Sequence, residues 1–123
     1  MSQYFQAGDA VLWNPATAVA RLFARTAETL ADLADAPSGI GPEQADEYQV
    51  DVEAFTAFTD TLVRRYACSN HAVLRTLMDG FVVTALALVH RAGGDVPAVA
   101  ALGTAEARDL AERARHLERT MPH

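Results

Sequence analysis

The densest apolar stretch of the chain lies between Ser69 and Gly94, and its spacing predicts the element. Leu74, Leu77, Met78, Phe81, Ala85, Leu88 and Val89 recur at i, i+3, i+4 and i+7, one face of an α-helix. Ser69 and Asn70 are good capping residues before it, and Gly93-Gly94 is a cheap left-handed stop after it. From Phe81 to Val89 the other faces are apolar as well, so protein or lipid must surround this half. The uncharged run from Gly80 to Val89 is far short of the roughly 18 residues that cross a bilayer. The pattern predicts a buried central helix on which other helices pack.

Two further helices precede it. Asn14-Pro15 reads as an N-cap followed by proline at the first helical position, opening a helix to about Ala34. Its expected inner face is Val19, Leu22, Phe23, Ala27, Leu30 and Ala34, with Arg21, Arg25, Glu28 and Asp32 outside. Asp51 caps the next helix, with Val50 and Phe55 placed for a hydrophobic staple and Phe55, Phe58, Leu62, Val63 and Tyr66 facing inward. Asp60 and Arg64 form an i, i+4 pair on its outside. After Gly94, Asp95 and Pro97 start a short helical turn that Gly103 ends. Thr104 then caps a last helix to about Arg119, whose stripe of Ala107, Leu110, Ala111, Ala114 and Leu117 is mostly alanine. Such a helix packs weakly and close, at the edge of the bundle or against a second subunit.

Two segments lack helical periodicity. In residues 2–13, Ala7-Gly8-Asp9 reads as a turn between Tyr4-Phe5 and Val11-Leu12-Trp13, giving an extended arm or a small hairpin. Residues 36–50 hold two prolines and two glycines between Pro37 and Pro42 and read as a long loop. The expectation is that Pro37–Glu47 is the most mobile internal segment. The predicted architecture is therefore all-α: a single-domain up-down bundle of three main helices and a weaker C-terminal one.

Charge and composition narrow the function. The net charge is −6, and residues 1–68 hold ten acids against four arginines. A chain this acidic with no basic stripe is a poor fit to nucleic acid or to an anionic membrane surface. All ten basic residues are arginine, so Schiff-base chemistry through lysine is excluded. The single Cys68 cannot form an internal disulfide, and the N-terminus has no signal-peptide pattern, which together predict a cytoplasmic location.

Candidate chemistry gathers at the start of the central helix. His71, Arg75 and Asp79 are spaced i, i+4, i+8 and make one polar stripe, with Tyr66 beside it on the preceding helix. They suit a small site with His71 as acid or base, Arg75 binding an anion and Asp79 orienting. The plainer alternative is a surface ion pair plus a capping histidine. Cys68, near a helix start and close to His71 in sequence, is a candidate nucleophile, or simply a small hydrophobe at a junction. His71 and His90 lie on one helix about 28 Å apart at 1.5 Å per residue, so they cannot share a metal, and no other metal set or cofactor motif stands out. Gly39-Ile40-Gly41 has no preceding strand and fails as a phosphate loop.

On the back of the central helix Gly80, Thr84 and Ala87 form a strip of small residues. A mid-helix glycine costs about 1 kcal/mol against alanine, and close approach of a partner helix would account for it. A homodimer with Gly80, Thr84, Ala87, Val83, Leu110 and Leu117 at its interface is the expectation. Room for a small apolar ligand beside Phe81 is the alternative. The strings Gln3-Tyr4-Phe5, Leu12-Trp13-Asn14-Pro15, Arg21-Leu22-Phe23, Pro37-Ser38-Gly39-Ile40-Gly41 and Ser69-Asn70-His71 with Gly80-Phe81 together resemble a small family of uncharacterised actinobacterial proteins. That resemblance implies no activity and no catalytic residue. The reading that follows is a non-enzymatic, self-associating interaction module. A small-molecule-binding protein or cofactor-independent enzyme of specialised metabolism is the alternative.

Overall fold

The computed structural model describes all 123 residues. In chain order it contains β1 (Tyr4–Ala7), β2 (Ala10–Trp13), α1 (Thr17–Ala34), β3 (Glu47–Gln49), α2 (Val52–Cys68), α3 (Ala72–Arg91), α4 (Pro97–Leu102) and α5 (Ala105–Glu118). The all-α expectation is thus corrected: a three-stranded mixed sheet of order β2-β1-β3 stands beside five helices. β1 pairs with β2 antiparallel across the Gly8-Asp9 turn, where Gly8 takes φ +60°, and with β3 in parallel.

The sheet survives because of what it packs against. An isolated two-stranded hairpin is marginal in water. Here Phe5, fully buried, stacks between Trp13 at 5.4 Å and Tyr48 at 4.7 Å and meets Phe23 of α1 edge-on at 5.5 Å. Phe23 in turn stacks on Phe81 of α3 at 4.6 Å. Each such aromatic pair adds about 0.5–1.5 kcal/mol to its area burial. The chain of rings welds the sheet to α1 and the central helix, within one cluster of 28 buried residues.

The third strand comes from the stretch expected to be a free loop. Val50 N–H donates to Gln6 O at 2.7 Å, Gly41 N–H to Gln49 O at 2.8 Å, and Asp51 N–H to Gly39 O at 2.8 Å. Gly39 has φ +79°, and a Cβ there would lie 2.6 Å from Phe55 N, so the segment presses directly on the start of α2. These fastenings run against the expected mobility of Pro37–Glu47.

The helices follow their predicted spans with local changes. α1 begins at Thr17 rather than Pro15, because Asn14 and Pro15 are used elsewhere: Asn14 N–H donates to Pro122 O and Pro15 O accepts from Gln3 N–H. Asp51 caps α2 through Ala54 N–H, and Val50 and Phe55 are both buried as the staple requires. At α3 the cap is His71, whose Nδ1 accepts from Leu74 N–H at 3.2 Å, while Ser69 Oγ accepts from His71 N–H. By length and mean hydropathy (1.8) α3 passes as a membrane span. Its Phe81–Val89 half is instead packed by protein, with Val82, Ala85 and Ala87 at 0 % exposure.

α5 packs far better than expected. It forms the most extensive helix pair of the fold with α3, and buries Ala107, Leu110 and Ala114 against it. Its alanines let the two backbones come close. The carboxyl end is tied back by Arg91, whose guanidinium donates to Leu12 O, Glu118 O and Met121 O.

Candidate functional site

Two features meet on the amino-terminal half of α3: a polar knot facing α2 and α5, and an apolar groove facing α1. The knot is centred on Asp79. Its Oδ1 and Oδ2 accept from Arg113 of α5 at 2.6 and 2.8 Å, and Oδ2 also accepts from Tyr66 Oη at 2.8 Å. Arg113 is held on its other side by Asp109 at 2.9 Å. Arg75 lies over the Tyr66 ring, 5.1 Å from its centroid, and reaches Glu106 at 3.8 Å.

The electrostatics fix protonation in the knot. Arg113 holds the Asp79 carboxyl below the usual carboxylate range, burial opposing and the Tyr66 hydroxyl reinforcing. Burial, then the bond to Asp79, pushes the Tyr66 hydroxyl up, and Asp79 pushes the Arg113 guanidinium further up. None of the three exchanges a proton near neutrality. A catalytic acid or base needs the reverse, a proton affinity matched to the working pH. The hydrogen bonds of the knot brace α2, α3 and α5 against one another.

The sequence candidates separate accordingly. The structure brings Tyr66, Arg75 and Asp79 together. His71 stands apart as a helix cap, with Nδ1 committed to a backbone N–H. Cys68 is exposed at the carboxyl end of α2, with no hydrogen bond to His71. Arg113, which completes the knot, stands at i, i+4 from Asp109, while its bond to Asp79 spans 34 positions.

The groove holds about 480 Å³ and is floored by Trp13, Phe23 and Phe81. Its walls are Val19 and Leu22 of α1 and Leu77 of α3. Leu22 is 69 % and Leu77 74 % exposed, with Val73 at 63 % and Val19 at 47 % along the same edge. Val19, Leu22 and Leu77 were expected to face inward. Phe23, Ala27 and Leu30 of α1 are buried as expected, with Ala20 inside in place of Val19 and Leu22, and Met78, Phe81, Ala85 and Leu88 of α3 are buried as expected. On α1 and on the amino-terminal half of α3, a second apolar stripe is thus left exposed.

The groove's hydroxyls are spoken for. Thr26 donates to Leu22 O at 2.7 Å, Thr76 to Ala72 O at 3.0 Å and Thr84 to Gly80 O at 2.8 Å. Each bond runs back one turn of its own helix, so no hydroxyl proton is left to orient a polar ligand. A Cβ on Gly80 would meet nothing within 4 Å. The glycine is not explained by any helix of this chain. Of the other expected interface residues, Val83, Ala87 and Leu110 are buried within the chain, Leu117 is half-buried, and only Gly80 and Thr84 line this groove.

A family model described as a family of unknown function, DUF6086, matches residues 1–123. The chain belongs to that family. This bears out the resemblance to an uncharacterised family, and speaks to membership rather than to taxonomic origin. No curated protein and no solved structure is detectably similar to this DUF6086 chain.

Proposed function

We propose that this DUF6086 protein is a non-enzymatic interaction module of the cytoplasm that self-associates, two copies joining through the α1/α3 groove. The observation that carries the reading is the second apolar stripe. Val19, Leu22 and Thr26 on α1, and Val73, Leu77, Gly80 and Thr84 on α3, follow the alternating three- and four-residue steps of a helix–helix seam. Soluble monomers rarely leave contiguous apolar surface of this kind in water.

Self-complementarity favours a second copy over another occupant. Thr76, Gly80 and Thr84 recur every four residues along α3, and small residues at that spacing let two helices approach closely. Placing α3 of one protomer across α3 of its partner at Gly80 buries both stripes at once and makes a four-helix layer from two α1/α3 pairs. Such two-fold contacts are the commonest closed assembly. A small polar ligand is less suited, since the threonine hydroxyls are bonded within their helices.

Cysteine cross-linking tests the arrangement. In a Cys68→Ser background, Thr76→Cys or Thr84→Cys should form an intermolecular disulfide under mild oxidation, because residues flanking a two-fold crossing meet their own copies. Thr61→Cys, on α2 and outside the groove lining, serves as the control. Cross-linking at 76 and 84 no faster than at 61 would contradict the α3–α3 crossing.

A further inference from the structure

The alanines that bring α5 close to α3 also leave space. Where the short helix α4 closes the third side, a cavity of about 210 Å³ opens between α3, α4 and α5, with Leu86, Val89, Val99 and Ala111 among its walls. It shares no residue with the α1/α3 groove. At its rim His90 Nδ1 lies 2.7 Å from Glu118 Oε1. A carboxylate can only accept, so Nδ1 is the donor in this contact; in the neutral imidazole Nε2 then presents its lone pair at the solvent-exposed rim, with no partner in the protein. Glu118 is itself steadied by Arg91, whose guanidinium stands 3.8 Å from the carboxylate and donates to the Glu118 carbonyl at 2.6 Å.

We propose that this cavity binds a small neutral aromatic bearing a hydroxyl, with the ring inside and the hydroxyl donating to His90 Nε2. Three observations support that class. An apolar cavity of about 150 Å³ is enough to hold benzene, so 210 Å³ has room for one ring with a substituent. The interior side chains offer no hydrogen bond, which selects an apolar body. The rim holds Asp95, Glu118 and the imidazole as acceptors against Arg115 as the one cationic donor, and neither Asp95 nor Arg115 is ion-paired. That excess of acceptors favours a ligand that donates and opposes one that is anionic.

Phenol and toluene, titrated separately into the full-length isotope-labelled protein and followed by amide shifts, provide the test. Phenol should give saturable shifts confined to residues 86–99 and 110–118, and should bind roughly tenfold more tightly than toluene, as one added hydrogen bond implies. His90→Ala should reduce phenol to the affinity of toluene and leave toluene unchanged. Ala111→Leu should abolish both by filling the cavity. If that variant does not give a native spectrum, Val99→Phe fills the same space from α4. Absence of saturable shifts at millimolar phenol would overturn the proposal. So would a phenol preference that survives His90→Ala, or binding that persists when the cavity is filled.

Discussion

At Asp79 one carboxylate accepts three hydrogen bonds, two from Arg113 and one from Tyr66. Removing it leaves the largely buried Tyr66 hydroxyl without a partner, and Asp79→Ala should cost about 1–2 kcal/mol, read as a lowered urea midpoint. The pH dependence follows from the direction of the shift. The folded carboxyl titrates below its unfolded value, so its contribution is complete above about pH 4. It is lost as pH falls through the folded value. The stability gap between the natural protein and Asp79→Ala should therefore hold at neutral pH and close in acid. Tyr66 and Tyr48 behave oppositely: burial raises both, with Asp79 and Glu43 respectively adding to the effect. Their contributions are complete below about pH 10 and are lost as pH rises through the raised values. A gap for Asp79→Ala that did not narrow as pH fell below the ordinary carboxylate range would contradict the brace.

The elements show which physical signals a sequence carries and which it does not. Helix spans were legible because local rules set them: Asp51 and Thr104 cap their helices as expected, and Gly103 ends α4 at φ +58°. The face of α1 was legible in part: Phe23, Ala27 and Leu30 are inside as expected, but size misleads at Val19 and Leu22, which are larger than Ala20 and yet stay outside while it is buried. β3 was illegible for another reason: Glu47-Tyr48-Gln49 is too short to show an alternation, and its pairing with Tyr4-Phe5-Gln6 is non-local. The knot was half legible, since Tyr66, Arg75 and Asp79 are near in sequence while Arg113 arrives only with the fold. Two glycines make predictions at this scale. Gly39→Ala should destabilise by more than about 1–3 kcal/mol, because φ is positive and the new methyl would strike the backbone at Phe55. Faster amide exchange at Gly41 and Asp51 would accompany it. Gly80→Leu should do the reverse to the monomer, since its Cβ meets open space and a mid-helix glycine costs about 1 kcal/mol. The midpoint of the isolated monomer should rise while assembly weakens. A fall in both would place Gly80 in a packed site.

Across the whole molecule one apolar surface is left over, and the proposed second copy would cover it. α5 covers the Val82–Val89 half of α3, the aromatic chain from Phe5 to Phe81 covers another side, and residues 36–50 seal the start of α2. What stays uncovered is one continuous apolar trough along α1 and α3, with Gly80 at its middle. Burying it yields about 25 cal/mol for each Å² removed from water, and a stable pair requires about 800 Å² per partner. Sedimentation equilibrium of the natural protein beside Leu22→Glu and Leu77→Glu tests this directly. The predicted result is a dimer of the 13.2 kDa chain at micromolar concentration, with both variants folded and monomeric. A natural protein that stays monomeric over the same range would contradict self-association, as would variants that remain dimeric.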